Sequence, residues 1–246
     1  MAGARFDNFE LVTSDDPAGE VLSLVSEVAG GAPASFLATG GSQAKLVYPR
    51  LFPALATEGA LAGVRLYLGD ERMVPLGDPD SNTSMLDSTP GAPGGESAIL
   101  SPARAFASEL RAAAAQGGDP SQEVLQKMLD WWSKELLEAP RPRIVHLGLG
   151  PDGHVASIFP HPVDLAIATP QCQVSMDATG LNRHLRLSVT LDYIDQAELV
   201  VLGVTGGAKG KVLKAVLEDP GSYPAGRLRP PRLVVVVDRE AQAALE

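Results

Sequence analysis

Ala34-Ser35-Phe36-Leu37-Ala38-Thr39-Gly40-Gly41-Ser42 is the stretch from which the fold can be read. Its first five residues are small or apolar without interruption, which suits a strand covered on both faces, and the run stops abruptly in two glycines and a serine. Gln43 to Leu55 then reads as a helix that Pro49 and Pro53 are expected to kink or divide. Strand, glycine turn and helix make one α/β unit.

The same alternation continues outward. Upstream lie a short extended piece, Phe9–Val12, and an amphipathic helix running from the cap candidates Ser14–Asp16 through Val21, Leu22, Val25 and Val28 to a Gly30–Gly31 stop. Downstream, Val64–Leu68 enters the loop Gly69-Asp70-Glu71-Arg72, followed by a polar loop from Gly77 to Ser84 and a Pro/Gly-rich surface loop, Ser88–Glu96. Ala103–Ala115 and Ser121–Glu138 read as helices, the second with Val124, Leu125, Met128, Leu129, Trp132 and Leu136 at helical spacing. A third unit runs from Ile144–Leu147 into Gly148-Leu149-Gly150-Pro151-Asp152-Gly153-His154 and on into a short helix. Extended runs follow at Leu185–Thr190, Glu198–Val204 and Leu233–Val237, with a helix at Ala208–Leu217 between the last two. The expectation is a single α/β domain spanning 1–246, Rossmann-like, with a mostly parallel sheet and helices on both faces.

The 246 residues include 30 acidic and 20 basic side chains, a formal charge of -10. Such a surface opposes nucleic acid and anionic membrane lipid, whose non-specific binding rests on clustered Lys and Arg. Cys172 is the sole cysteine, so there is neither an intramolecular disulfide nor a cysteine pair with metal-ligand spacing. No run of 18 apolar residues occurs, and Met1 to Leu11 has no signal-like apolar core, so a cytoplasmic location is expected.

Ligands of open α/β sheets bind at the carboxyl ends of the strands, where three unusual loops fall here. Gly40-Gly41-Ser42 opens a helix, and its unpaired N–H groups suit an anion; as a plain turn, Ser42 would simply cap the helix. It lacks the spacing of a Walker A loop. Asp70-Glu71-Arg72 places two carboxylates and a guanidinium at a strand end, suited to positioning a hydroxyl or water or to stabilising a negative charge; the bland alternative is a solvated turn. Gly148, Gly150 and Gly153 spell a dinucleotide-like pattern. Asp152 would nevertheless put a carboxylate where a pyrophosphate should sit, and Pro151 removes a donor. The loop presents His154, at or near a helix start, beside a carboxylate, which suits acid/base work near neutral pH. His146, His161, His184, Cys172 and Trp131-Trp132 read as structural. Among the scarce cations, Arg183, Arg186 and Lys209 lie near strand or helix ends, where together they could form a local positive pocket.

In order, these loops resemble the 6-phosphogluconolactonase family. Gly40-Gly41-Ser42 is similar to its Ser-Gly-Gly-Ser turn, and Asp70-Glu71-Arg72 with Val74-Pro75 and Ser81-Asn82 to its Asp-Glu-Arg…Val-Pro…Ser-Asn stretch. The segment from Gly148 through His154-Val155-Ala156-Ser157-Ile158-Phe159-Pro160 matches its long Gly-x-Gly-x-Asp-Gly-His-x-Ala-Ser-x-Phe-Pro signature almost residue for residue. Arg186-Leu187-Ser188-Val189-Thr190 and Gly203…Lys209 resemble further elements, so the likeness spans residues 40 to 209. Thr39 in place of Ser, Gln43-Ala44 in place of Thr-Pro, and the lack of a tryptophan near Val234–Asp238 are departures.

The resemblance implies hydrolysis of 6-phospho-D-glucono-1,5-lactone, a small phosphosugar lactone, to 6-phosphogluconate in the oxidative pentose phosphate pathway. It implies no metal or organic cofactor; the anionic balance argues against a nucleic acid or membrane partner, and the chain is expected to be a monomer or weak homodimer. His154 would move the protons, Asp152 or Asp70 would orient it or the substrate hydroxyls, and Arg72 would meet the phosphate or the oxyanion. Gly40, Gly41, Ser42, Arg186 and Lys209 would form the phosphate pocket, with Asn82 and Gly153 also against the substrate. The nearest enzymatic alternative, a glucosamine-6-phosphate deaminase, typically follows its histidine with Ile-Ala-Phe-Asn-Glu-Pro; Val155–Pro160 has no such glutamate. The other alternative is a non-catalytic sugar-phosphate-binding module, as in transcriptional regulators, but no basic recognition helix precedes the first α/β unit.

Overall fold

Along each central strand, successive side chains part to opposite faces, and in this chain both faces are apolar. Phe36, Ala38, Ile144, Val201, Val234 and Val236 enter one buried cluster, whereas Leu37, Val145, Leu147, Val200, Leu202, Val235 and Val237 enter another. The structure is a computed structural model that describes residues 9–31, 33–57, 61, 63–94, 99–141 and 143–246. The main sheet is built from β1 (Glu10–Thr13), β2 (Ala34–Ala38), β3 (Val64–Leu68), β5 (Arg143–Gly148), β8 (Leu199–Val204) and β9 (Leu233–Val237). Its strands are parallel throughout, in the order β1-β9-β8-β5-β2-β3.

Helices cover both faces. α1 (Pro17–Ala29) and α2 (Gly41–Leu55) pack over the cluster that contains Phe36, through Val21, Leu24, Val25, Val47, Tyr48, Leu51 and Phe52. α6 (Gln122–Leu137) and α8 (Gly207–Glu218) cover the opposite cluster through Leu125, Met128, Leu129, Trp132, Leu213 and Val216. The cap residues are those the helix signals suggest. Asp16 accepts from the Gly19 N–H, Ser121 caps α6, and Gly30 closes α1 in the left-handed conformation at φ 57°.

Several sequence expectations are corrected. α2 is not divided at Pro49 or Pro53; it is one helix, held to the sheet by Val47, Tyr48, Leu51 and Phe52. The helix expected over Ala103–Ala115 is two, α4 (Pro102–Ala105) and α5 (Ala107–Ala115), separated at Phe106 (φ -117°, ψ 35°). The polar loop from Gly77 ends early, since Ser81 caps α3 (Asn82–Asp87). Of the Ser88–Glu96 loop, Gly95 and Glu96 lie outside the described residues, as do Met1 to Asn8 of the N-terminal stretch.

Two corrections bear on the site. Asp70-Glu71-Arg72 is itself a strand, β4 (Asp70–Arg72), and the Leu185–Thr190 run supplies β7 (Arg186–Val189), which lies outside the main sheet. With β6 (Cys172–Ser175) they form a separate antiparallel sheet, β4-β7-β6, with Arg72 opposite Arg186. The alternation of Arg186 and Ser188 with Leu187 and Val189 suits an antiparallel strand with one polar face better than a parallel one. No helix follows His154: Ala156 takes a left-handed φ of 50°, and the Ile158 N–H closes a turn on the Val155 carbonyl. The remaining α-helices among the described residues are α7 (Leu191–Ile194) and α9 (Arg239–Ala243), with 3-10 turns at Pro220–Ser222 and Ala225–Arg227.

Candidate active site

All parallel strands present their carboxyl ends at one edge of the sheet. From β2 the chain moves outward to β3, while β5, β8 and β9 succeed one another in the opposite direction, so the order reverses between β2 and β5. A cavity of ≈ 210 Å³ opens there, walled by the Thr39–Gln43 turn, the Gly148–Pro151 segment and His154, with Asp70, Arg72, Asn82, Asn182, Arg186 and Lys209 around it.

The first wall is the start of the 15-residue helix α2. Its N-cap is Gly40 and no side chain bonds back to it, which leaves the first N–H groups and the positive end of the helix dipole at the cavity. Gly41 has φ 68°, which favours glycine. At Gly40 a β-carbon would lie 2.2 Å from Asn82 Oδ1, so the close approach of Asn82 requires a glycine there. From α8, the Lys209 ammonium donates to Ser42 Oγ at 3.0 Å. Burial holds this ammonium below its usual pKa range, which makes it a poorly solvated cation beside the helix terminus.

The second wall is the small sheet. Of the two carboxylates in β4, only Asp70 faces the cavity. Glu71 turns away to accept from the N–H groups of Arg72, Asn82 and Thr83, each at 2.8 Å, and so ties β4 to the start of α3. Burial raises the Glu71 pKa against these bonds. Asp70 accepts the Ser157 hydroxyl at 2.6 Å and stands 3.8 Å from Arg186 Nη1. Asn82 Nδ2 donates to the Asp70 carbonyl at 2.9 Å, and Arg72 Nη1 to the Asp80 carbonyl at 2.6 Å. Arg186 lies over the Phe159 ring, 5.5 Å from its centroid, and reaches Ser157 Oγ at 3.3 Å and Asn182 Oδ1 at 3.4 Å. Burial lowers its pKa, and the Asp70 charge works in the opposite sense. The Nε atoms of Arg72 and Arg186 are both buried without a hydrogen-bond partner among the described residues.

The third wall is the His154 loop. Gly150 N–H donates to the His154 carbonyl at 2.9 Å and Gly153 N–H to the Gly150 carbonyl at 3.1 Å, which closes a tight turn. At Gly150 a β-carbon would strike the imidazole. His154 Nδ1 is hydrogen-bonded to Asp152 Oδ1, and its ring meets Phe159 edge-on at 5.2 Å. Burial works to raise the Asp152 pKa, but the His154 contacts outweigh it and hold the carboxyl below its ordinary range. An ionised Asp152 keeps the imidazole proton on Nδ1 and leaves Nε2 as the free base.

Asp70, Arg72, His154, Gly40, Gly41, Ser42, Asn82, Arg186 and Lys209 thus meet around one cavity. Asp152 stands behind His154 and off the cavity wall; it is the carboxylate on the imidazole, whereas Asp70 serves Ser157 and Arg186. Gly153, expected against the substrate, is not on the wall. At φ 80° it packs under Tyr223, its N–H is taken by Gly150, and its carbonyl accepts from Ala225. Asn182, Gln43 and Ser157 were missed. Gln43 carries one signal, as the first residue after the glycine turn; Asn182 stands only four residues before Arg186 but in a loop with no motif, and Ser157 reaches Arg186 across 29 positions of chain. Among the described residues, no group of three or more His, Cys, Asp and Glu is arranged to hold a metal ion.

A family model described as glucosamine-6-phosphate isomerases/6-phosphogluconolactonase matches residues 17–237. The chain belongs to this family. Among relatives of the family, the 6-phosphogluconolactonase of Xylella fastidiosa is 32% identical over 212 residues, covering 82% of this chain and 80% of that protein. That of Mycobacterium tuberculosis is 29% identical over 236 residues, covering 92% and 90%. The solved 6-phosphogluconolactonase from Trypanosoma cruzi superposes with a TM-score of 0.72 at 21% identity, covering 100% of this chain and 99% of that one, which shows a shared fold.

Proposed function

We propose that this chain hydrolyses 6-phospho-D-glucono-1,5-lactone to 6-phosphogluconate, the lactone-opening step of the oxidative pentose phosphate pathway. One observation carries the reading: an Asp-oriented histidine faces a cavity that also holds an uncapped helix N-terminus and three cations. The relatives named above, all 6-phosphogluconolactonases, support the choice of substrate.

The phosphate sits at the first turn of α2 with Lys209, where helix dipole, free N–H groups and ammonium act together. His154 Nε2 takes a proton from water, and the resulting hydroxide adds to the lactone carbonyl carbon. The tetrahedral oxyanion is met by the positive wall formed by Arg72 and Arg186. When the carbon–ring oxygen bond breaks, the imidazolium returns its proton to the departing ring oxygen, and Asp152 stabilises the charged ring between the two transfers. Asp70 acts through Ser157 to hold Arg186.

The test compares initial rates on 6-phospho-glucono-1,5-lactone and unphosphorylated glucono-1,5-lactone, each corrected for spontaneous opening. The reading expects kcat/KM to favour the phosphorylated lactone by at least about 100-fold, because each charge-assisted phosphate contact is worth roughly 1.5–3 kcal/mol. Equal rates on both, or no rate above background, would reject it.

A further inference from the structure

His146 and Tyr48 are polar, buried and absent from the scheme above. Tyr48 lies in the second turn of α2, with its ring edge-on to Phe36 (6.0 Å) and stacked on Phe52 (5.2 Å). Its hydroxyl reaches back past the start of its own helix and accepts the Thr39 N–H at 2.7 Å. Thr39 is the residue between the end of β2 and the Gly40 cap, and it lines the cavity. On its other side the hydroxyl lies 3.0 Å from His146 Nδ1.

Counting protons favours one direction for this chain. Thr39 N–H is only a donor, so the Tyr48 oxygen accepts there, and the arrangement that also pairs the Tyr48 hydrogen sends it to a bare His146 Nδ1. The imidazole then carries its hydrogen on Nε2, an atom buried without a hydrogen-bond partner among the described residues. A neutral ring is what the site enforces, since burial pushes the His146 pKa down to about 3. A buried polar chain with one orphaned donor is costly for stability alone. Its one outlet toward the cavity is the Thr39 N–H.

We propose that the Tyr48 hydroxyl, oriented by His146, is a positioning group for the anion-binding turn, pinning Thr39 so that the first N–H groups of α2 aim at the substrate phosphate. The inference rests on the reading that this turn takes the phosphate.

Tyr48→Phe keeps the ring and removes the hydroxyl, leaving Thr39 N–H and His146 Nδ1 without partners. Tyr48→Phe combined with His146→Leu removes the polar chain altogether and spares the core an orphaned imidazole, while Thr39 N–H stays unpinned. For each variant, Kd for inorganic phosphate is measured by calorimetry, alongside KM and kcat on the phosphorylated lactone, turnover of the unphosphorylated lactone, and Tm. Tyr48→Phe is expected to raise phosphate Kd and KM together by roughly three- to tenfold, the worth of one ordinary hydrogen bond, with kcat and unphosphorylated turnover unchanged. The double variant should regain the Tm that Tyr48→Phe loses and keep the weakened phosphate binding. If the double variant recovers phosphate affinity together with Tm, or if Tyr48→Phe binds phosphate as the unaltered protein does, the positioning role is overturned. An unaltered protein that binds no phosphate overturns both this role and the phosphate reading of the turn. The expected phosphate pattern in a protein that opens no lactone supports the positioning role and rejects only the lactonase reading.

Discussion

His154 and Asp152 stand two residues apart, and their contact is made by the turn they share, so sequence alone could bring them together. It could not decide between Asp152 and Asp70 as the partner of the imidazole, because Asp70 finds Ser157 across 87 positions of chain. Asn182 is illegible for another reason: it stands four residues from Arg186, but nothing in its loop shows that both face the cavity. Asp152→Asn keeps the shape and loses the charge that the proposed mechanism sets against the imidazolium. Steady-state kinetics should show kcat down by about 10²–10⁴-fold with KM little changed. A kcat within a few-fold of the unaltered protein would remove Asp152 from its assigned role. Gly40→Ala should weaken substrate binding, since the new β-carbon meets Asn82 Oδ1 at 2.2 Å and displaces the side chain that holds the Asp70 carbonyl.

Continuous apolar runs made the parallel strands legible at the level of elements, and the glycine turn made the start of α2 legible too. The small sheet was not: β4 is three residues long, and β6 is four residues between polar loops, too short for a pattern to emerge. No helix follows His154 because Ala156 is left-handed, held in part by the Ser157 bonds to Asp70 and Ser188, and nothing in Val155-Ala156-Ser157 announces that conformation. The proposed anion site belongs to this scale, since α2 and α8 meet there through the Lys209–Ser42 bond. Lys209→Met should raise KM by about tenfold or more and leave kcat nearly unchanged, as loss of a poorly solvated charge against a phosphate predicts. Lys127→Met, which removes an exposed ammonium paired with Glu123 on α6, should change neither. Equal effects of the two would show that overall charge, not a local pocket, binds the substrate.

The net charge of -10 should oppose capture of a phosphate ester by the molecule as a whole. Arg72, Arg186 and Lys209 reverse the sign locally, around a single cavity. Both sheets contribute to one apolar cluster, through Val145, Val200 and Val235 on one side and Val174, Leu187 and Val189 on the other. This supports reading the chain as one domain, for which urea unfolding followed by tryptophan fluorescence and by circular dichroism should coincide. Acid should act partly through Asp177. Burial works to raise its pKa, but bonds from Thr179 and Asn182 outweigh it and lower the value to about 2. A carboxyl depressed in the folded state adds stability above its unfolded value near ~3.9, and that stability is lost as pH falls toward the folded value. The Tm gap between the unaltered protein and Asp177→Asn should therefore be full above pH ~4 and close as pH falls toward about 2. The proposed mechanism rests on one histidine that this fold places to open a phosphosugar lactone. Its most direct test is the initial rate of 6-phospho-glucono-1,5-lactone hydrolysis, corrected for spontaneous opening, by the unaltered protein and by His154→Ala at equal, verified folding. Rapid turnover is expected of the unaltered protein and a rate about 10²–10⁴-fold lower of the variant; turnover that survives the substitution would remove His154 from the chemistry.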